Sequence, residues 1–229
     1  MSDEPSAPDE ASELPPAPDV IAFDIGEVIV DETRVWAVWA DLIGVTPLTF
    51  AAVLGAAISQ GGDHRDVFAH LAPNVEWESL LDEHEARLGG LGAEDLHPDV
   101  RTCLGDLRAA GLTVVLAGNQ PASRTAQLQA LDLGCDDIVT SEELGHEKPD
   151  PAFFEALFAR LGIPAERVLY VGDRLDNDVL PASVSGARTC WLRRGPWGQL
   201  QEPPDGFVPD LSLEGLGELS ELVTGWRQP

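Results

Sequence analysis

Positive charge is scarce in this chain, and lysine is the scarcest part of it. Fourteen Lys and Arg residues stand against 40 Asp and Glu, a formal charge of −26, and the one lysine is Lys148. A surface this acidic repels nucleic acid and anionic membrane, which argues against both as partners. It also repels anionic substrates at long range, so a phosphate site would need local positive charge from a metal, a lysine or backbone amides. Cysteine is sparse as well. Cys103, Cys135 and Cys190 are scattered, odd in number and without metal-ligand spacing, and they read as reduced thiols in a cytoplasmic protein. No apolar run approaches membrane-spanning length. Residues 1–19 hold six acids, five prolines and no base, unlike the cationic start of a secretory signal, and they read as a disordered acidic tail. No feature sets an oligomeric state.

What the chain does have is a regular alternation. Short apolar runs bounded by turn residues occur at Val20 to Asp24, Thr113 to Ala117, Asp137 to Thr140, Val168 to Gly172 and Arg188 to Leu192. Continuous runs of this length suit strands buried on both faces. Between them, apolar residues recur at helical spacing. Val100, Cys103, Leu104, Leu107 and Ala110 stop at Gly111, Phe153 to Leu161 stop at Gly162, and Pro121 marks the start of a helix over Ala122 to Leu131. Strand and helix in alternation predict an α/β fold with a parallel sheet covered on both faces. The interval 33–95 breaks the pattern. It offers no convincing strand, but Trp36, Trp39, Ala40 and Ile43 form one helical stripe and Phe50, Val53, Leu54 and Ile58 another. We read 33–95 as an inserted all-helical cap, with 20–32 and 96–229 forming the core domain. Trp36 and Trp39 read as the core of that cap.

The charged residues fall where a doubly wound sheet binds ligands, outside the carboxyl ends of its strands. Asp24 closes the first run, Gly118-Asn119 closes the second, Lys148 follows the third, and Asp173 follows the fourth in Gly172-Asp173-Arg174-Leu175-Asp176-Asn177-Asp178. Carboxylates and a backbone carbonyl make a hard-cation site, and an ammonium beside them can hold a phosphate. A chain that uses arginine elsewhere keeps lysine at one point, where a compact ammonium serves better than a planar fork. Asp24 is placed to attack phosphorus as a nucleophile.

These motifs resemble those of the haloacid dehalogenase-like hydrolase superfamily. Phe23 to Ile29 is similar to its nucleophile motif, Leu116 to Asn119 to its second motif, Gly145 to Pro151 to the lysine motif of its phosphatase-like members, and Gly172 to Asp178 to its acidic metal motif. The resemblance spans about residues 20 to 195. It implies a Rossmann-like sheet of order 3-2-1-4-5 with the cap inserted after the first strand. It also implies a Mg2+-dependent phosphatase of a small phosphorylated metabolite, working through an aspartyl phosphate. In that reading Asp24 and Lys148 are catalytic, and Gly118, Asn119 and Lys148 bind the phosphate. Asp24, the Gly26 carbonyl, Asp173 and Asp178 hold the metal. Asp178 could equally be a helix N-terminal carboxylate with no metal role.

Two positions depart from the family pattern. Gly26 stands where a second aspartate usually acts as general acid and base, a loss worth about 10²–10⁴-fold in rate. Gly118 stands where a serine or threonine usually donates to the phosphate, at a cost of roughly 0.5–1.5 kcal/mol. Glu27 and His146 are candidates for a relocated acid, although each reads more simply as a solvated surface residue. The departures keep open a degenerate member that only binds a phosphorylated ligand or a protein. A haloacid dehalogenase has no use for the second acidic motif, and phosphonate hydrolysis through an imine fails because the cap has no lysine.

Overall fold

The computed structural model describes residues 17–226. Strand β1 (Val20–Phe23) is followed by four helices, α1 (Thr33–Leu42), α2 (Pro47–Ile58), α3 (His64–Leu71) and α4 (Leu81–Leu88). Alternation then sets in with α5 (Val100–Ala109), β2 (Thr113–Gly118), α6 (Ser123–Ala130), β3 (Asp137–Thr140), α7 (Ser141–Leu144) and α8 (Pro151–Leu161). It continues through β4 (Val168–Gly172), α9 (Leu180–Val184), β5 (Arg188–Leu192), α10 (Gly195–Leu200), β6 (Leu211–Leu213) and α11 (Leu216–Trp226). The strands form one parallel sheet of order β3-β2-β1-β4-β5-β6. The five runs read from sequence are its first five strands. The sixth, Leu-Ser-Leu, is too short to stand out as an apolar run.

Strand pleating sorts the side chains into two cores. Ile21 and Phe23 of β1, with Leu116 and Val171 of its neighbours, pack against Val100, Leu104 and Leu107 of α5 and Leu216 and Leu219 of α11. On the opposite face Val20, Ala22, Val115 and Tyr170 meet Phe153, Phe154 and Leu157 of α8. Tyr170 is fully buried, and its hydroxyl donates to the Ala117 carbonyl at 2.7 Å, so the one tyrosine crosses between strands without leaving a polar group unpaired.

Helices α1 to α3 build a third cluster of their own. Trp39, Phe50, Leu54, Ile58, Val67 and Phe68 form it, and Trp197 of α10 completes it from the sheet side. Trp39 is therefore core as expected, while Trp36 is half-buried and stands 6.3 Å from Trp197, ring to ring. Two arginine clamps fasten this layer. Arg34 of α1 pairs in bidentate fashion with buried Asp95, and it also donates to the carbonyls of Leu88 and Gly90. Arg124 of α6 reaches Glu85 of α4 at 2.7 Å.

One boundary moves. Residues 1–16 lie outside the described residues, so the tail reading is not addressed for them, but Pro18 and Asp19 are part of the fold rather than of a tail. Pro18 is buried, the Asp19 amide donates to the Arg167 carbonyl at 2.9 Å, and the Asp19 carbonyl accepts the Thr113 amide at 3.1 Å. Proline and aspartate carry no strand signal, so the sequence does not show that the ordered chain begins before β1 does.

The Arg34–Asp95 clamp yields a prediction. Asp95→Ala leaves a partly buried guanidinium without its carboxylate, and we expect a loss of about 2 kcal/mol in urea denaturation. Arg34 holds the Asp95 carboxyl below its ordinary range. That share of the stability is present above the ordinary carboxylate value and is lost as pH falls through the lowered one. The variant should lack this acid-side decline.

Candidate active site

Parallel strands aim their carboxyl ends at one edge of the sheet, and the charged residues gather there. The Asp24 amide donates to Val171 of β4 at 2.8 Å, which fixes the residue at the end of β1. The chain then turns tightly, with Val28 donating to the Gly26 carbonyl at 2.6 Å and Ile29 and Val30 both donating to Ile25. That bond uses one of the two lone pairs of the Gly26 carbonyl.

Lys148 sits at the centre. Its side chain is buried, and Nζ donates to Asp24 Oδ1 at 2.6 Å and to Asp178 Oδ1 at 2.5 Å. Below it lies the Tyr170 ring, 5.5 Å from Nζ. Burial would favour the neutral amine, but the Asp178 and Asp24 carboxylates overcome it and hold the ammonium well above its usual range. The main chain of Lys148 is clasped from both sides by one residue. Asn119 Nδ2 donates to its carbonyl at 2.8 Å, and its amide donates to Asn119 Oδ1 at 2.7 Å. The Asn119 side chain is therefore committed to placing the lysine.

Asp178 lies in the first turn of a π-helix, Leu175–Val179, so the position expected of a helix N-terminal carboxylate and a place beside Lys148 coincide in it. Fully buried, it faces Lys148 with one oxygen and accepts the Arg174 amide at 3.1 Å with the other. Gly172 makes this possible, because a Cβ there would collide with the Asp178 side chain. Gly118 has a similar constraint. A Cβ at that position would stand 2.6 Å from Asp24 Oδ1, so the serine or threonine of the family pattern would displace Asp24 from Lys148.

Asp24, Asp173 and Asp178 offer carboxylate oxygens that all lie within 4.8 Å of one another. Asp173 Oδ2 is buried with no hydrogen-bond partner. Burial first, then the Asp178 and Asp24 charges, push the Asp173 carboxyl well above its usual range. Asp178 is raised to about 6, mainly by burial, with Lys148 opposing the shift. A buried, unpartnered oxygen among converging carboxylates is the donor set of a hard divalent cation, and one ammonium cannot neutralise it.

The surrounding cleft has a volume of about 380 Å³. The helical layer supplies Trp36, His64 and Arg65 to its walls, and Arg174 lies over the Trp197 ring at 4.7 Å while pairing with Asp176 at 2.6 Å. His146 is exposed and lines a separate groove. Glu27 is not the solvated loop residue its position suggested. It is buried, has a positive φ of 52°, accepts the Glu32 amide at 3.0 Å, and lies close under Gly195. Burial raises its carboxyl to about 7. The residue that sequence reasoning passed over is Glu32. It lines the cleft, and its carboxyl is raised to about 8 by burial and then by the Glu27 and Asp24 charges. Nothing in the order of residues marks it, since its proximity to Asp24 arises from the fold of the turn.

A family model for haloacid dehalogenase-like hydrolases matches residues 18–186. The chain belongs to that family. This hydrolase is 34% identical over 163 residues to glyceraldehyde 3-phosphate phosphatase of Methanopyrus kandleri, covering 69% of this chain and 68% of that one. Among solved structures it resembles the HAD-hydrolase YfnB of Bacillus subtilis, determined bound to magnesium, with a TM-score of 0.69, 21% identity, and 90% and 99% of the two chains covered. It resembles L-2-haloacid dehalogenase of Xanthobacter autotrophicus equally well, with a TM-score of 0.69, 19% identity, and 90% and 98% covered. At these identities the two structures speak for the Rossmann-like fold of the hydrolase alone.

Asp173→Asn separates a metal site from a merely acidic one. Titration calorimetry should show Mg2+ affinity falling by more than the roughly 10–100-fold that loss of an outer contact costs. A raised carboxyl pKa means that the folded state holds its proton longer than the unfolded one, so stability declines as pH rises above the ordinary carboxylate value. In EDTA, the melting temperature of the wild type should therefore fall as pH rises above the ordinary carboxylate range, and Asp173→Asn should lessen that fall.

Proposed function

We propose that this hydrolase is a Mg2+-dependent phosphatase of a small phosphorylated metabolite, with Asp24 as nucleophile. The observation that carries the reading is the cluster of Asp24, Asp173 and Asp178, two of which, Asp24 and Asp178, are bridged by a buried lysine. A haloacid dehalogenase attacks carbon and needs no cation, so three converging buried carboxylates would burden it without purpose. The name of the Methanopyrus relative agrees with phosphate ester hydrolysis.

Asp24, Asp173 and Asp178 would hold Mg2+, which when bound supplies positive charge to the phosphoryl oxygens. The side chains of the hydrolase do the rest. Lys148 orients Asp24 through its hydrogen bond and places one positive charge beside the site where a phosphate would bind. Asp24 forms a bond to phosphorus as the ester oxygen departs, and water later releases orthophosphate from the aspartyl phosphate. The cleft of about 380 Å³ is at the small end for ligand sites. Trp36, His64 and Arg65 from residues 33–95 support the reading of that segment as a cap over the site. The three free cysteines favour a cytoplasmic setting.

With Mg2+, the purified chain should release phosphate from 4-nitrophenyl phosphate, lose that activity in EDTA, and release no halide from 2-chloropropionate. Halide release without phosphate release would reverse the assignment. Lys148→Arg should lower kcat by about 10²-fold, because the longer fork misplaces Asp24 by an ångström or more, while circular dichroism stays unchanged. Unaltered turnover would remove Lys148 from the reaction.

A further inference from the structure

The space that a side chain on residue 26 would use is already taken. A Cβ built on Gly26 would lie 2.7 Å from Glu32 Oε1, 3.0 Å from Glu32 Cδ and 3.4 Å from Glu32 Oε2. The Gly26 backbone is not in the left-handed region, so conformation does not demand glycine there; a side chain at 26 and the Glu32 carboxylate in its present pose would compete for the same space. Glu32 is the N-cap residue of α1, yet its side chain makes no capping bond. Glutamate is not a favoured cap. Here its carboxylate turns instead toward the cleft that holds Asp24 and Trp36. The Glu27 carboxylate accepts the Glu32 amide at 3.0 Å, so the turn fixes the main chain from which this side chain projects.

We propose that Glu32 is the general acid and base of this hydrolase, supplying the carboxylate that residue 26 lacks from six positions further along the chain. The inference rests on the phosphatase reading. In the first step an Asp24 oxygen bonds to phosphorus, the bond from phosphorus to the ester oxygen breaks, and that oxygen takes the proton of the Glu32 carboxyl. In the second, a water oxygen bonds to phosphorus, its proton passes to the Glu32 carboxylate, and the bond from phosphorus to Asp24 breaks. Orthophosphate leaves, and both side chains return to their starting states. Glu27, packed under Gly195 and bonded to the Glu32 amide, is a positioning residue in this scheme.

Glu32→Gln keeps the shape and removes the proton. An aryl leaving group departs without an acid, whereas release of the phosphoryl group from Asp24 still needs a base. With 4-nitrophenyl phosphate and Mg2+ the variant should show a stoichiometric burst of nitrophenolate, followed by a steady rate about 10²-fold or more below wild type. With glycerol 2-phosphate, whose leaving oxygen is strongly basic, there should be no burst and at least as large a loss. A general weakening of the fold would slow both esters without a burst. The second variant exploits the shared space. Gly26→Asp combined with Glu32→Ala should recover at least about tenfold of the activity lost in Glu32→Ala alone. Rates within threefold of wild type, uniform slowing without a burst, or a folded double variant no better than Glu32→Ala would each overturn the proposal. Wild-type protein inert toward both esters would overturn the phosphatase reading and this inference with it. Active wild type with an unaffected Glu32→Gln variant overturns this inference alone.

Discussion

One buried ammonium holds this site together. Lys148 is enclosed, touches Asp24 and Asp178 at hydrogen-bond distance, and stands beside Asp173 in the same pocket of carboxylates. Burying a charge is costly unless it is paired, and burying several of one sign is costlier still. The strand ends gather three aspartates, and a single lysine offsets part of their repulsion. What remains uncompensated is the unpartnered oxygen of Asp173. A site tuned this way carries negative charge that its own ammonium does not fully offset.

The architecture around that ammonium follows from it. Asn119 grips the Lys148 peptide in both directions, so the end of β2 and the lysine loop are one unit. Gly172 stays small so that Asp178 can fold back, and Gly118 stays small so that Asp24 can face the lysine. These glycines sit at ordinary backbone angles and are there for the space they leave. The Gly118 departure from the family pattern thus has a local cause in the position of the nucleophile.

Much of this was legible in the order of residues. The five longer strands read as apolar runs, because strands buried on both faces must be continuous in hydrophobicity, and strand order placed Asp24, Gly118, Lys148 and Asp173 at one edge. Asp178 and the lone lysine belonged to recognisable spacings. What escaped were relations made through space. Glu27 looked like a loop glutamate, and its burial depends on Gly195, far along the chain. Glu32 carried no signal at all, and its approach to Gly26 depends on the tight turn between them. The sixth strand and the ordered segment Pro18-Asp19 ahead of β1 carry too few apolar residues to be seen. Local pattern reveals elements; the proximity of two polar side chains is decided by the packing of everything between them.

Trp197 belongs to a helix next to the last long strand, yet it fills the apolar cluster of the helical layer and gives its outer face to Arg174. Any separation of the two layers would pull an indole out of a packed pocket and strip a guanidinium of its aromatic support. Access to the cleft is thereby tied to the packing of one side chain.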